Sequence, residues 1–145
     1  MELNTSSAAV SFARQLEAES STAFSKCAEM FPSWADTLGI FIRENKRHAG
    51  EIDRAYFSVV SDALDTGFSF SGIDSDDYKI ESILDSGDQS DSIRILINNE
   101  ERVIAYYSAA AQASRALLTD VARSFDRVTK RHRSRLGALG GLPIG

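Results

Sequence analysis

The chain contains two histidines, and each is the last residue of a repeated eight-residue motif. His48 closes Phe-Ile-Arg-Glu-Asn-Lys-Arg-His, and His132 closes Phe-Asp-Arg-Val-Thr-Lys-Arg-His. Glu17 lies 31 residues before His48, and Glu100 lies 32 residues before His132. Carboxylate and imidazole groups are common protein ligands of zinc and iron. One glutamate and one histidine in each half of the chain therefore predict a shared centre to which both halves contribute.

Apolar periodicity predicts the helices that must position these residues. We expect helices over 6–30, 33–65, 90–113 and 118–136, with a crossover connection at 66–89 that contains a short helix at 77–84. The apolar stripes of the first and third helices match at an offset of 83, with Glu17 and Glu100 in the same slot. The long crossover suits an antiparallel four-helix bundle, in which all four groups reach one level. The predicted fold is therefore all-α and built from two related helical hairpins.

Composition limits the classes of protein that fit. A chain of 145 residues suits a single domain, here 1–136, followed by a glycine-rich tail at 137–145 that we expect to be flexible or to dock on another protein. The net charge of −5 disfavours general binding to nucleic acid. The lone Cys27 excludes a four-cysteine metal site within the chain and favours a cytoplasmic setting. Neither a signal peptide nor an apolar run of membrane-spanning length is expected.

The pattern of glutamates and histidines resembles the ferritin-like and rubrerythrin-like di-iron carboxylate family over 11–136. That family carries a glutamate on the first and third helices and Glu-x-x-His on the second and fourth. The resemblance implies that Glu17 and Glu100 are carboxylate ligands and that His48 and His132 are nitrogen ligands. It also implies iron (one or two ions) or zinc without haem, a homodimer, and iron handling or oxidoreduction involving iron or peroxide. With a single cysteine, any redox cycle requires an external electron donor.

Two positions depart from the family pattern. Asn45 and Thr129 occupy the places of the glutamates that precede the family's histidines by three residues and bridge its two metal ions. Two remaining carboxylates balance the charge of one divalent ion better than that of two. We therefore favour a single ion, with Glu44, Asn45 and Tyr107 as auxiliary groups.

Two alternatives remain open at this stage, and whether the protein is an enzyme is also open. In one alternative the glutamates and histidines form a metal-free polar core, which leaves a non-catalytic assembly or adaptor protein. In the other, the basic stretch at 115–135 protects nucleic acid, as in miniferritins. The cationic residues of the repeated motif lie off the buried stripe, so we expect them to face solvent, with anion binding as the alternative. These residues are Lys46, Arg47, Lys130 and Arg131.

Overall fold

A computed structural model describes residues 1–60, 73–114 and 119–145, without the side chains of 57–60. These ranges contain four α-helices: α1 (Ser6–Met30), α2 (Ala35–Val60), α3 (Gln89–Ser114) and α4 (Thr119–Gly140). An isolated bridge joins Glu2 to Asp74, and no strand forms in the described ranges. The predicted all-α class is therefore confirmed for this part of the chain. No helix in it is both long enough and apolar enough to cross a membrane.

The first hairpin is set by a side-chain cap and a proline. The Thr5 hydroxyl accepts a hydrogen bond from the Ala8 amide at 3.0 Å, which satisfies one of the free amides at the start of α1. At the other end, Pro32 cannot continue the helical hydrogen-bond ladder, and a single 3-10 turn at Pro32–Trp34 links the two helices. As a result α2 begins at Ala35, two residues later than predicted, while its predicted end at residue 65 lies outside the described residues.

The fourth helix is longer than the sequence predicted. It continues past residue 136 to Gly140 because Leu139 is fully buried in the core. Beyond the helix, Leu142 is only 6% exposed, and the Pro143 carbonyl accepts a hydrogen bond from the indole of buried Trp34 at 2.7 Å. The predicted boundary at 136 is therefore corrected, since Leu139 and Leu142 pack in the core beyond it. The flexibility of the tail stays a prediction.

The crossover also differs from prediction in its local structure. Instead of a helix at 77–84, the described part contains a 3-10 turn at Ser75–Tyr78 and then chain without regular secondary structure up to α3. The Asn99 side chain on α3 pairs with both backbone groups of Glu81, accepting from its amide and donating to its carbonyl, each at 2.8 Å. These bonds satisfy the backbone without a helix. Residues 66–72 of the predicted crossover and the link at 115–118 lie outside the described residues.

Two apolar clusters fill the bundle, one on each side of a polar layer. The first core cluster includes, from α1 to α4, Leu16, Ile52, Val103 and Val128. The second core cluster includes Phe24, Phe41, Leu96 and Leu139. The chain therefore passes from the first cluster to the second along α1 and α4, and in the reverse direction along α2 and α3. Helix α1 packs against α2 and α3, and α4 packs against α3 and α2, so each helix runs opposite to its main neighbours.

Every helix crosses between the clusters at polar residues. We call this buried set the central polar layer, and it consists of Glu17, Asn45, His48, Glu100, Thr129, His132 and Arg135. Burying ionisable groups is costly unless each is paired, hydrogen-bonded or bound to metal. The contacts within this layer therefore decide what the bundle can do.

Candidate metal centre

The four predicted ligands meet at one level of the bundle, each from a different helix. Glu17 comes from α1, His48 from α2, Glu100 from α3 and His132 from α4, and none is more than 2% exposed. All four residues fall on the apolar stripe of their helix, and a helix turns the residues of such a stripe toward the core.

The imidazole of His132 lies between the two carboxylates. Its Nε2 is 2.8 Å from Glu17 Oε1, and its Nδ1 is in short contact with Glu100 Oε1. The Tyr107 hydroxyl donates a hydrogen bond to Glu17 Oε1 at 2.8 Å, and its ring stacks on His132 with centroids 5.6 Å apart. The two carboxylates therefore contact opposite nitrogens of one ring, and only Glu17 also accepts a hydrogen bond from Tyr107.

Three of the four predicted ligands form a compact group. One ligand atom from each of Glu17, His48 and His132 lies within 4.8 Å of the other two. His48 Nδ1 is 3.3 Å from Glu17 Oε1 but makes no hydrogen bond, and Glu17 Oε2 also lacks a partner, although both atoms are buried. A buried carboxylate oxygen and a buried imidazole nitrogen without hydrogen-bond partners are atoms that can bind a cation.

Glu100 lies outside this group of three. It approaches His132 from Nδ1, whereas Glu17 approaches from Nε2. A carboxylate on the far ring nitrogen of a metal-ligating histidine is a frequent outer partner that fixes the ring and its tautomer. The structure thus divides the four predicted ligands. Glu17, His48 and His132 can bind one ion together, whereas Glu100 contacts Nδ1 of His132 on the other side of the ring.

Burial and the neighbouring charges shift the pKa values of Glu17 and His132 in opposite directions. Burial alone raises the pKa of Glu17, but the charge and the hydrogen bond of His132, together with the nearby ring of His48, outweigh it and lower the pKa to about 2. Burial alone lowers the pKa of His132, but Glu100 and Glu17 together raise it to about 9. Burial and the neighbouring Glu17 raise the pKa of Tyr107 well above its usual value. Without metal at neutral pH, His132 is therefore an imidazolium between two carboxylates.

Arg135 is the member of the layer that the sequence reasoning missed. Its Nη1 donates to Asn45 Oδ1 at 2.7 Å and to Glu100 Oε1 at 3.3 Å. Nη2 donates to the Phe41 carbonyl at 3.3 Å, and the guanidinium carbon lies 4.9 Å from the Phe41 ring centroid. The signal was its position three residues after His132, which shares the helix face. Leu136, one residue later, is apolar and fits the buried stripe of a helix equally well, so the apolar pattern does not point to Arg135.

Of the predicted auxiliary residues, Glu44 and Asn45 contact Arg135, and Tyr107 contacts Glu17. Glu44 Oε1 lies 3.3 Å from Arg135 Nη2, so this carboxylate faces the guanidinium. Asn45 directs its oxygen to Arg135 and its amide to the hydroxyls of Ser20 and Ser21, at 3.3 and 3.1 Å. The Asn45 oxygen is therefore engaged by the guanidinium.

The two halves of the site differ at the groups that support each glutamate. Tyr107 holds Glu17, but at the offset of 83 its counterpart is Phe24, which has no hydroxyl to offer Glu100. Glu100 instead receives Arg135, whose counterpart at the offset of 84 is Glu51. The Thr129 hydroxyl donates to the Phe125 carbonyl of its own helix at 2.8 Å. The repeated sequence therefore builds an asymmetric centre.

No family model, curated protein or solved structure matches this chain. The resemblance to ferritin-like proteins therefore rests on the residues of the chain itself.

Proposed function

We propose that the protein binds one divalent transition-metal ion through Glu17, His48 and His132. The observation that carries the proposal is the pair of buried atoms without partners, Glu17 Oε2 and His48 Nδ1, within a group whose three ligand atoms lie within 4.8 Å of one another. Two histidines and one carboxylate with open positions are the donor set of many non-haem iron sites and of catalytic zinc sites. Iron and zinc are accordingly the metals that we favour.

Charge supports one ion over two. Glu17 and Glu100 supply two negative charges, and the buried guanidinium of Arg135 cancels one of them. A single divalent ion that replaces the proton on His132 Nε2 leaves the layer with one net positive charge. A second ion would raise that charge further in a buried layer, which is unfavourable without more carboxylates.

The ligands and the residues that support them have distinct roles in this proposal. Glu17 and His48 offer unpaired ligand atoms, and His132 offers Nε2. Glu100 accepts the Nδ1 proton of His132 and keeps Nε2 free as a ligand, which is how outer carboxylates act on metal-ligating histidines. Tyr107 orients Glu17 through its hydroxyl. Arg135 holds Glu100 in place.

The finer function that we propose is iron handling or oxidoreduction with oxygen or peroxide in a bundle of ferritin-like or rubrerythrin-like type. The helix directions support this proposal, because an order in which α2 and α3 run the same way requires a long crossover between them. When bound, iron would supply one-electron chemistry at an open coordination position. Since the chain has a single cysteine, the proposal includes an external electron donor, and it also includes a homodimer.

The test is metal content and metal binding in protein purified without a metal-affinity tag. We expect about one ion per chain after incubation with Fe²⁺ or Zn²⁺ and a higher thermal midpoint, since a ligand at about 100 times its Kd stabilises the folded state by about 2.7 kcal/mol. Co²⁺ provides an optical readout of the ligand set. Elemental analysis below about 0.2 ions per chain, with no thermal shift on adding metal, overturns the proposal.

Variants locate the site. Glu17→Ala and His48→Ala should abolish stoichiometric binding, while Glu19→Ala, at an exposed position two residues away on α1, should bind as the unmodified protein does. Glu100→Gln should keep the stoichiometry but weaken affinity by about 10–100-fold, as expected for an outer partner. Unchanged metal content in Glu17→Ala would place the ion elsewhere.

The second candidate is a metal-free ferritin-like assembly or adaptor protein. The observation that favours it is charge balance, because Glu17 and Glu100 are neutralised by protonated His132 and by Arg135 with no metal present. For this candidate we expect full stability after chelation and unchanged self-association by sedimentation. A large loss of stability on adding EDTA would exclude it.

A further inference from the structure

A pocket of about 400 Å³ between α2 and α4 is lined by a surplus of cations, and we call it the basic pocket. Its cationic lining residues are Lys46, Arg47, Arg54 and Arg131, and its acidic ones are Glu44 and Glu51. We propose that the basic pocket binds a small oxyanion, a phosphate or a carboxylate, beside His48.

The two acidic residues of the basic pocket are directed to other cations. Glu51 accepts from Arg127 Nε and from Arg131 Nη1, each at 2.6 Å. Although burial raises it, the pKa of Glu51 is held below its ordinary value by these two arginines. Glu44 lies 3.3 Å from buried Arg135. Glu51 is therefore paired with Arg127 and Arg131, and Glu44 faces Arg135. Neither carboxylate forms an ion pair with Lys46, Arg47 or Arg54 in the described part of the chain.

Three cations of the basic pocket remain without a carboxylate. Within the described part of the chain, no ion pair involves Lys46, Arg47 or Arg54. Guanidinium groups present paired N–H donors that match the two oxygens of a carboxylate or phosphate, and such charge-assisted bonds are stronger than neutral ones. Free guanidinium groups around a concave surface therefore favour an oxyanion over a neutral ligand.

One of these arginines lies over the helix at a glycine. A Cβ added at Gly50 would come within 3.2 Å of Arg54 Nη1, so the guanidinium occupies the space that a side chain would take. Glycine within a helix costs about 1 kcal/mol relative to alanine. An alanine at this position would require the exposed end of the Arg54 side chain to shift by a few tenths of an ångström.

His48, which is 1% exposed and belongs to the proposed metal centre, also lines the basic pocket. An anion held by the arginines thus lies next to the layer in which a bound divalent ion would leave one net positive charge. This link rests on the proposed function, whereas anion binding by Arg47 and Arg54 does not require metal. The two statements can therefore fail separately.

Anion binding is tested on metal-free, chelator-treated protein at low ionic strength, with inorganic phosphate and succinate as separate probes. We expect saturable binding by calorimetry with a Kd of about 1 mM for at least one probe, because exposed charges are weakly screened under these conditions. Preference for phosphate or succinate distinguishes the two sources of oxyanion. No saturable binding of either probe overturns the proposal.

Two double variants are compared. One removes two positive charges from the basic pocket, and the other removes two from elsewhere on the surface. Arg47→Gln with Arg54→Gln should weaken binding at least about tenfold, since each lost charge-assisted bond contributes that much. Arg123→Gln with Arg133→Gln removes the same charge from exposed positions of α4 outside the basic pocket and should leave Kd within about twofold. Equal weakening by both pairs would mean diffuse attraction to surface charge and would refute a site. All four positions are exposed, so folding is checked by circular dichroism alone.

The link to the metal is tested separately with Co²⁺-loaded protein. We expect the bound probe to change the Co²⁺ absorption bands, and the Arg47→Gln, Arg54→Gln variant to need about tenfold more probe for the same change. Saturable binding to metal-free protein without any change in the Co²⁺ spectrum would leave the anion site intact and refute its link to the metal.

Discussion

Replacing the buried Arg135 by methionine tests the central polar layer most directly. The side chain is 1% exposed and donates to Glu100, Asn45 and the Phe41 carbonyl. Methionine keeps an unbranched stem of similar reach, so the main loss is the charge and its hydrogen bonds. The substitution leaves Glu100 buried with His132 as its remaining cationic partner.

The size of the effect follows from the contacts. Removing one partner of a buried ion pair costs about 3–5 kcal/mol, mostly because the other charge stays buried. Asn45 Oδ1 also loses its 2.7 Å donor, and an unsatisfied buried acceptor costs about 1–3 kcal/mol. These losses overlap, so we expect the free energy of unfolding to fall by about 4 kcal/mol, a large part of the usual 5–15 kcal/mol.

The assay is urea unfolding at neutral pH with EDTA present, followed by circular dichroism. Arg133→Met, two residues earlier and exposed, is the control and should change stability by less than about 0.5 kcal/mol. Adding Glu100→Gln to Arg135→Met should recover part of the loss, because it removes the stranded charge. A loss below about 1 kcal/mol for Arg135→Met, equal to the control, would refute the role assigned to this guanidinium.

Three further predictions concern the bundle outside the polar layer. Gly137 lies within α4 with open space around its Cα, so Gly137→Ala should raise the free energy of unfolding by about 0.5–1 kcal/mol in urea titrations; a loss would contradict the helical assignment. Leu142→Ala should lower stability by about 2 kcal/mol, whereas a flexible tail would show no change. Burial raises the pKa of the Cys27 thiol to about 11, so a disulfide reagent at pH 8 should modify the folded protein far more slowly than the guanidinium-unfolded chain, with a rate that rises toward pH 11; equal rates would refute its burial.

The sequence was sufficient to place the helices and to identify which polar residues they bury. Glu17, His48, Glu100 and His132 fall on apolar stripes, and a helix turns all residues of one stripe toward the same side. The local signals were also readable, since Pro32 ended α1 where the structure ends it. These features depend on helical periodicity and backbone chemistry, which neighbouring residues along the chain determine.

The ends of the elements needed the tertiary structure. Helix α4 extends to Gly140 although Gly137 weakens it, because packing of Leu139 and Leu142 in the second core cluster outweighs propensity. The expected helix at 77–84 does not form, and Asn99, from another helix, satisfies the backbone of Glu81 in its place. Both outcomes depend on residues that are distant in sequence.

The sequence by itself determined that two glutamates and two histidines share one buried level, since their spacing and the stripes fix the side of each helix that faces inward. Only the tertiary structure decided which of them face one another. Glu100 lies behind His132 because helix rotation directs the two carboxylates to opposite ring nitrogens. Arg135 is buried because Glu100, Asn45 and the Phe41 carbonyl compensate its desolvation, and such compensation exists only once three helices meet.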